Sequence, residues 1–126
     1  MDGGSRGNPG PAAAAAVLST PTGEVIDEAA ELLGSATNNV AEYRAVMLGL
    51  RRARELGATE VELVNDSELI AKQMTGEYRV KHPAMRPLHL DAMALLRGFD
   101  RWSIRTVPRE RNAHADELVN RALDSA

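Results

Sequence analysis

The order in which strand-like and helix-like patterns follow one another limits the fold of this chain more than any other feature. Two strands are predicted at residues 12–19 and 24–33, although the alanines of the first are weak strand formers. The Thr-Pro-Thr-Gly sequence at 20–23 suits a tight reversal between them. The chain therefore begins with an antiparallel hairpin.

After the hairpin, helical and strand patterns alternate. The predicted elements are a helix at 38–56, a strand at 60–65, helices at 67–74 and 85–99, a strand at 102–107 and a helix from about His114. Thr37 or Asn38 is a suitable cap for the first helix, and Gly57 is a suitable stop. The order β, β, α, β, α, α, β, α predicts a mixed α/β fold, with helices packed on a sheet.

Composition supports this fold class and excludes several kinds of site. The 126 residues predict one domain, 1–126, and only 3% of them are aromatic, so the core must consist mainly of aliphatic side chains. No cysteine is present, which excludes disulfides, thiolate metal sites and cysteine nucleophiles. The longest apolar run, Ala12 to Leu18, is too short to span a membrane, and no leader pattern precedes it. We therefore expect no membrane association and a cytoplasmic location.

Glu42 and Asp116 are acids on helix faces that point toward the core. Glu42 lies four residues before Val46, on the apolar stripe of its helix, and Asp116 shares a face with Val119 and Leu123. Acids in the first turn of a helix also complement the helix dipole, and this simpler explanation stays open for both.

Asp2 and Asp66 occupy junctions between elements. Asp66 follows a predicted strand, where ligands of α/β sheets gather, although a helix N-cap is an equally good explanation. Ser67 is available for that capping role. Asp2 precedes a glycine-rich segment at 3–10, which is too rich in glycine for an ordinary strand. Such a segment lets the backbone approach a phosphate or sugar, unless it is simply a flexible terminus.

Four motifs occur together in one order, and the combination is much more specific than any single acid. They are Asp-Gly-Gly-Ser-Arg-Gly-Asn-Pro-Gly at 2–10, Thr-Asn-Asn-Val-Ala-Glu-Tyr at 37–43, Asn-Asp-Ser at 65–67 and Asn-Ala-His-Ala-Asp-Glu-Leu at 112–118. This pattern closely resembles the type 1 ribonucleases H over essentially the whole chain. The resemblance implies a ribonuclease H-like fold, with a five-stranded mixed sheet flanked by helices.

The resemblance also implies an activity and a set of site residues. Members of the family cleave the RNA strand of an RNA–DNA hybrid by a two-metal mechanism, which leaves a 5′-phosphate and a 3′-hydroxyl. The matching metal ligands and catalytic residues are Asp2, Glu42, Asp66 and Asp116, which would hold two Mg²⁺ ions, with Mn²⁺ as a substitute. The matching substrate-binding residues are Gly3, Gly4, Ser5, Asn8, Asn38, Asn39 and Asn112.

Two departures from the family concern loops around the site. The family often carries a histidine where this chain has Thr106, and His114 is expected to be a partly exposed helix residue, with Arg109 or Glu110 closer to the site. The chain also lacks the extra basic helix that grips the DNA strand in many relatives. The available substitutes are Arg79, Lys81 and His82, so we expect modest, salt-sensitive affinity for the hybrid.

A third departure concerns the first strand, which looks truncated because only Met1 precedes Asp2. The family places several strand residues there, in the middle of the sheet. We expect lower stability and activity than in a longer form, and a rise in melting temperature if apolar strand residues are added. The chain is expected to be a monomer, with a strand-borrowing dimer as the alternative.

Two other function classes remain open at this point. One is a module that binds hybrids without cutting them, although binding alone would not need four acids. The other is a different nuclease of the same broad fold, of the resolvase or transposase type. The chain is also compatible with a domain of a larger protein, fused for example to a phosphatase or a reverse transcriptase.

Overall fold

The computed structural model describes all 126 residues and contains five strands and four α-helices. The strands are β1 (Asp2–Ser5), β2 (Gly10–Ser19), β3 (Val25–Ala36), β4 (Glu60–Asn65) and β5 (Arg101–Thr106). The helices are α1 (Asn38–Glu55), α2 (Glu68–Met74), α3 (Arg86–Leu96) and α4 (Ala113–Asp124), and a short 3₁₀ turn (Arg109–Asn112) precedes α4. The predicted mixed α/β fold is confirmed.

The strands form two hydrogen-bonded groups. Strands β1, β2 and β3 are antiparallel in that order, whereas β4 and β5 pair in parallel. Strand β1 pairs with β2 alone, and the Met1 amino group donates one hydrogen bond to the Val64 carbonyl oxygen of β4, at 3.2 Å. Strand β1 has four residues, and the backbone connection between the two groups of strands is slight.

Strand β1 itself corrects one expectation from the sequence. The glycine-rich start was considered unsuitable for ordinary strand, yet Asp2 pairs with Ala15 and Ser5 pairs with Ala12. Its backbone bonds to β2 outweigh the low strand propensity of Gly3 and Gly4, because propensity is a weak preference that tertiary contacts override.

The alanine run of β2 is explained by what covers its two faces. On one face of β2, Ala13 and Ala15 pack against Val119 of α4. On the other face, Ala16 lies against Gly49 of α1, and a Cβ added at Gly49 would be 3.4 Å from the Ala16 Cβ. Small side chains let a helix approach closely on each side of the strand. The main core lies between α1, α3 and the two groups of strands.

Helix boundaries agree closely with the sequence signals. Thr37 caps α1 by accepting a hydrogen bond from the Val40 amide at 3.2 Å, and Ser67 caps α2 by accepting from the Ile70 amide at 3.3 Å. Because Ser67 takes the capping role, Asp66 is free for another. None of the helices combines the length and the hydropathy that crossing a bilayer requires.

Candidate active site

Four carboxylates from four different elements line one cleft of about 370 Å³. Asp2 lies in β1, Glu42 in the second turn of α1, Asp66 directly after β4 and Asp116 in the first turn of α4. Asp2 and Glu42 are buried, with 3% and 7% of their surface exposed. The fold therefore brings together all four acids that the sequence singled out.

Three of these acids form a tight group. Asp2, Glu42 and Asp66 each offer one oxygen, and these oxygens lie within 4.8 Å of one another. Glu42 Oε1 accepts a hydrogen bond from the Gly3 amide at 3.3 Å, but Glu42 Oε2 and Asp66 Oδ2 are buried without any hydrogen-bond partner. Buried polar atoms normally have a partner, so the two free oxygens indicate a missing ligand.

The electrostatics of the group lead to the same conclusion. The pKa of Glu42 is raised to about 9, mainly by burial and in addition by the nearby charges of Asp2 and Asp66. Burial also raises the pKa of Asp2 to about 6, with Asp66 and Asp116 contributing in the same direction. Carboxylates crowded in this way repel one another unless a cation is bound between them. Oxygen ligands of this kind fit a hard divalent metal ion.

Gly3 determines how closely β1 approaches α1. A Cβ placed on Gly3 would lie 2.1 Å from the carbonyl carbon and oxygen of Ala41 and 2.5 Å from the Glu42 amide nitrogen. Only glycine fits there, and the contact brings the Asp2 and Glu42 carboxylates together. From the sequence, the glycines were expected to let the backbone approach a phosphate or sugar. At Gly3 the close approach is instead to a helix of the same chain.

Asp116 stands slightly apart from the other three acids. It lines the cleft but is not part of the close group, and it is partly exposed. Asn120, one turn later on α4, donates from Nδ2 to the Asp116 carbonyl oxygen at 3.1 Å and approaches its Oδ2 at 3.5 Å. Sequence reasoning did not select Asn120, although its position four residues after an acid on a helix was a usable signal.

Most of the predicted substrate residues surround the acids. Those that line the cleft are Gly3, Gly4, Ser5, Asn38 and Asn39. Asn8 lies just outside it and holds Asn38 in place, because the Asn38 amide donates to Asn8 Oδ1 at 3.0 Å. The Ser5 amide in turn donates to Asn38 Oδ1 at 2.9 Å. The loop after β1 and the start of α1 are thus fastened together by asparagine side chains.

Three predicted substrate residues lie elsewhere. Asn112 is 7% exposed, and its Nδ2 donates to the Met1 carbonyl oxygen at 2.6 Å, so it ties the start of α4 to the start of β1. Arg79 and Lys81 are exposed on the connection between α2 and α3 and do not line the cleft.

Two arginines line the cleft together with the acids. Arg109, in the 3₁₀ turn, has its Nε 4.0 Å from Asp66 Oδ2, too far for a hydrogen bond. This agrees with the expectation that Arg109 or Glu110 would lie nearer the site than His114, which is half exposed and contacts Glu28 at 2.8 Å. Arg6, on the loop between β1 and β2, is the second arginine, and the sequence had not marked it as a site residue.

Comparisons with known proteins agree with this geometry. The family model described as reverse transcriptase-like matches residues 1–122. A ribonuclease HI of Halobacterium salinarum is 47% identical over 126 residues, and the crystal structure of RNase H1 from that organism superimposes with a TM-score of 0.97 over 99% of this chain and 95% of that one. LC11-RNase H1, solved in complex with an RNA/DNA hybrid, is 40% identical, with a TM-score of 0.94 over 98% and 94% of the two chains.

A third relative shows that the matching region occurs inside longer proteins. A bifunctional protein of Mycobacterium tuberculosis is 49% identical over 126 residues, and its N-terminal RNase H domain superimposes with a TM-score of 0.95 over 98% of this chain and 90% of the solved one. The chain spans 35% of that bifunctional protein and 63% of the Halobacterium ribonuclease HI.

Proposed function

Because the chain belongs to the type 1 ribonuclease H family, we propose that it hydrolyses the RNA strand of RNA–DNA hybrids, leaving 5′-phosphate and 3′-hydroxyl ends. The observation that carries the proposal is the close group of acids Asp2, Glu42 and Asp66, the first two of them buried, with two buried oxygens that lack hydrogen-bond partners, in a cleft also lined by Asn38 and Asn39. A binding module would have no need of uncompensated buried carboxylates, which are costly to keep.

We propose that the four acids hold two Mg²⁺ ions, for which Mn²⁺ can substitute. Bound there, the ions would activate the attacking water and stabilise the leaving 3′-oxygen. The chain supplies the ligands. Asp2, Glu42 and Asp66 have converging oxygens, and Asp116 faces the same cleft from α4, where its partial exposure leaves it accessible from solvent.

The asparagines are suited to recognising the RNA strand. Asn38 Oδ1 already accepts from the Ser5 amide, and Asn8 Oδ1 already accepts from the Asn38 amide. Their Nδ2 groups therefore remain as donors, at a lining residue of the cleft for Asn38 and just outside the cleft for Asn8, and can bond a 2′-hydroxyl oxygen or an acceptor on a minor-groove base edge. The 2′-hydroxyl distinguishes RNA from DNA, and such contacts read little sequence.

Arg109 provides a fixed positive charge beside Asp66. A guanidinium does not lose its proton in proteins, so Arg109 cannot relay a proton as an imidazole can. We propose that it instead moves from its 4.0 Å contact with Asp66 to the phosphate group of the substrate, because Asp66 becomes a metal ligand. Its side chain is 79% exposed, which leaves it free to make that move.

Arg79 and Lys81 remain our proposal for contacts to the DNA strand. They lie on the connection that follows α2, and α2 begins two residues after Asp66. We propose that a duplex bound at the acids extends past this connection. Two exposed cations neutralise few phosphates, so their contribution should be modest and should weaken with salt.

The direct test is to incubate the chain with a labelled RNA–DNA hybrid in Mg²⁺ and in Mn²⁺, beside Asp66→Asn. The control is Asp91→Asn, which removes the same charge from an exposed position on α3. We expect metal-dependent cutting of the RNA strand that Asp66→Asn abolishes and Asp91→Asn leaves intact. Binding without cutting would favour a module that only binds, and preferential cutting of DNA junctions would favour a resolvase-type nuclease.

A further inference from the structure

Arg6 is a cationic side chain of the cleft to which the catalytic proposal gives no role. It lies on the exposed loop between β1 and β2, one residue after Ser5, and it lines the cleft with the four acids. The only other cation there is Arg109, which lies beside Asp66. A guanidinium at the edge of a cleft that receives a polyanion is well placed to bind a phosphate.

In the structure the Arg6 guanidinium forms an ion pair with Asp124, near the C-terminal end of the chain. Arg6 Nη2 lies 2.6 Å from Asp124 Oδ1, at the last residue of α4. The two side chains are 47% and 67% exposed. A pair this exposed is held weakly, because water and salt screen it and two flexible side chains must be ordered. A phosphate group can therefore compete for Arg6.

The backbone beneath Arg6 is fixed, so only its side chain needs to move. The Arg6 amide donates to the Pro11 carbonyl oxygen at 2.8 Å across the base of the loop. Gly10 is packed so closely that a Cβ there would lie 2.2 Å from the Arg6 carbonyl oxygen. The preceding residue, Ser5, is fastened to Asn38 through its amide. The Arg6 Cα is thus held at a constant distance from the acids.

We propose that Arg6 binds a backbone phosphate of the hybrid outside the scissile position, and that Asp124 restrains it when no nucleic acid is bound. Asp124 then acts as a competitor of the substrate. This inference rests on the proposed function, since it requires that the cleft receives a hybrid. It differs from a purely structural role, in which the Arg6–Asp124 pair only fastens the loop to α4.

The two explanations predict different changes in KM when Arg6 and Asp124 are substituted. If the pair is only a fastener, Arg6→Ala and Asp124→Asn both loosen the loop and both raise the KM for hybrid. If Arg6 binds phosphate, Arg6→Ala raises KM by about threefold to tenfold, the share of one phosphate contact, whereas Asp124→Asn lowers KM by about twofold. In the Arg6→Ala background, Asp124→Asn should have no further effect, because the group it releases is missing.

A matched control removes the effect of overall charge. Glu117→Gln changes the net charge by the same amount on the same helix and releases Arg121, its partner at 2.9 Å. It should leave KM unchanged, because neither residue lines the cleft. All the substituted side chains are largely exposed, and melting temperatures would verify that each variant folds.

The experiment measures KM and kcat for hybrid cleavage at several salt concentrations, together with hybrid binding in an Asp66→Asn background that cannot cut. Arg6→Ala should leave kcat nearly unchanged and reduce the slope of log affinity against log salt by about 0.7–0.9. Replacing single phosphates by uncharged methylphosphonates should then identify one position that matters to the parent chain but not to Arg6→Ala.

Unchanged KM and salt slope in Arg6→Ala, or KM changes of the same sign in Arg6→Ala and Asp124→Asn, would overturn the inference while leaving the proposed function intact. Failure of the unsubstituted chain to bind or cut the hybrid would overturn the proposed function, and this inference with it.

Discussion

A carboxylate lies near each end of helix α1, and the charges around the two carboxylates have opposite signs. Near its C-terminus, Arg52 binds Asp27 of β3 through two hydrogen bonds of 2.8 and 2.9 Å, which hold the pKa of Asp27 below its usual value. Near its N-terminus, Glu42 lies among other acids, and burial raises its pKa to about 9. The first arrangement fastens the sheet to the helix.

The surroundings of Glu42 do not stabilise the fold. Glu42 Oε2 has no partner, and the nearest side chains that carry charge include Asp2 and Asp66. A buried carboxyl group without partners lowers stability, because it must either carry an unpaired charge or take up a proton on folding, and such groups are kept where function requires them. The comparison therefore separates a carboxylate that supports the fold from one that the fold has to tolerate.

The largest expected effect comes from removing an acid at the N-terminal end of α1. Glu42→Gln should reduce hybrid cleavage by far more than the roughly 10–100-fold that loss of a residue supporting a metal ligand costs. The same change should raise the melting temperature of the metal-free protein at pH 8, because Glu42, whose pKa rises from 4.5 to about 9 in the folded state, must take up a proton on folding, whereas a glutamine need not. Cleavage assays and thermal melts on one preparation check both. A variant that is less active and also less stable would contradict the comparison.

The next largest effect is expected from a substitution at Gly3, where β1 packs closely against α1 and brings the acids together. Gly3→Ala places a Cβ 2.1 Å from backbone atoms of Ala41, so β1 and α1 must separate. Overpacking of this kind costs about 1–3 kcal/mol, and cleavage should fall because Asp2 and Glu42 move apart.

The neighbouring glycine provides the control for that substitution. A Cβ on Gly4 would lie 3.5 Å from Val119 Cγ1, an ordinary contact, so Gly4→Ala should melt close to the parent temperature. Equal destabilisation by Gly3→Ala and Gly4→Ala would show that the close approach to α1 is not the reason why position 3 requires glycine.

Gly3 also illustrates what the sequence could not provide. The four acids, the hairpin and α1 were predictable, because periodicity, capping residues and motif order are local signals, and Ser67 was available to release Asp66 from capping. The local pattern did not indicate the strand at β1, because its glycines disfavour a strand and its pairing partners lie 7 to 13 residues further along the chain.

Contacts between distant segments were equally invisible. Nothing near Arg6 or Asn112 in the sequence indicates that the first meets Asp124 or that the second bonds to Met1, more than a hundred residues away. Asn112 was assigned to the substrate through the resemblance, and in the structure it is buried and its Nδ2 donates to the Met1 carbonyl oxygen. A motif fixes a residue's identity and order, but only the packed fold fixes which way its side chain faces.

A third prediction concerns pH and metal together. In the folded, metal-free protein Glu42 keeps its proton up to about pH 9, whereas in the unfolded chain the same carboxyl group loses its proton near pH 4.5. Between these values the folded state binds more protons, so stability should fall as pH rises. Asp2 adds to the decline between about pH 4 and 6.

Metal should reverse this trend. Ions that bind the folded state alone stabilise it by about 2.7 kcal/mol at a hundredfold excess over Kd, and the gain should grow with pH because fewer protons compete for the carboxylates. Melting temperatures from pH 5 to 9, with and without Mg²⁺, check the sign. A metal-free melting temperature that rises over this range would contradict the assigned environment of Glu42.

The smallest effect is expected at the other end of α1. Asp27→Asn removes one partner of Arg52 but touches nothing in the cleft, so it should lower the melting temperature slightly at neutral pH and leave cleavage unchanged. Because the pKa of Asp27 is lowered in the folded state, its contribution is present above the unfolded value of 3.8 and disappears as the pH falls through the folded value. The difference in melting temperature between parent and variant should therefore vanish in strong acid. If Asp27→Asn instead impaired cleavage, the two ends of α1 would be coupled, and the separation between a supporting and a tolerated carboxylate would fail.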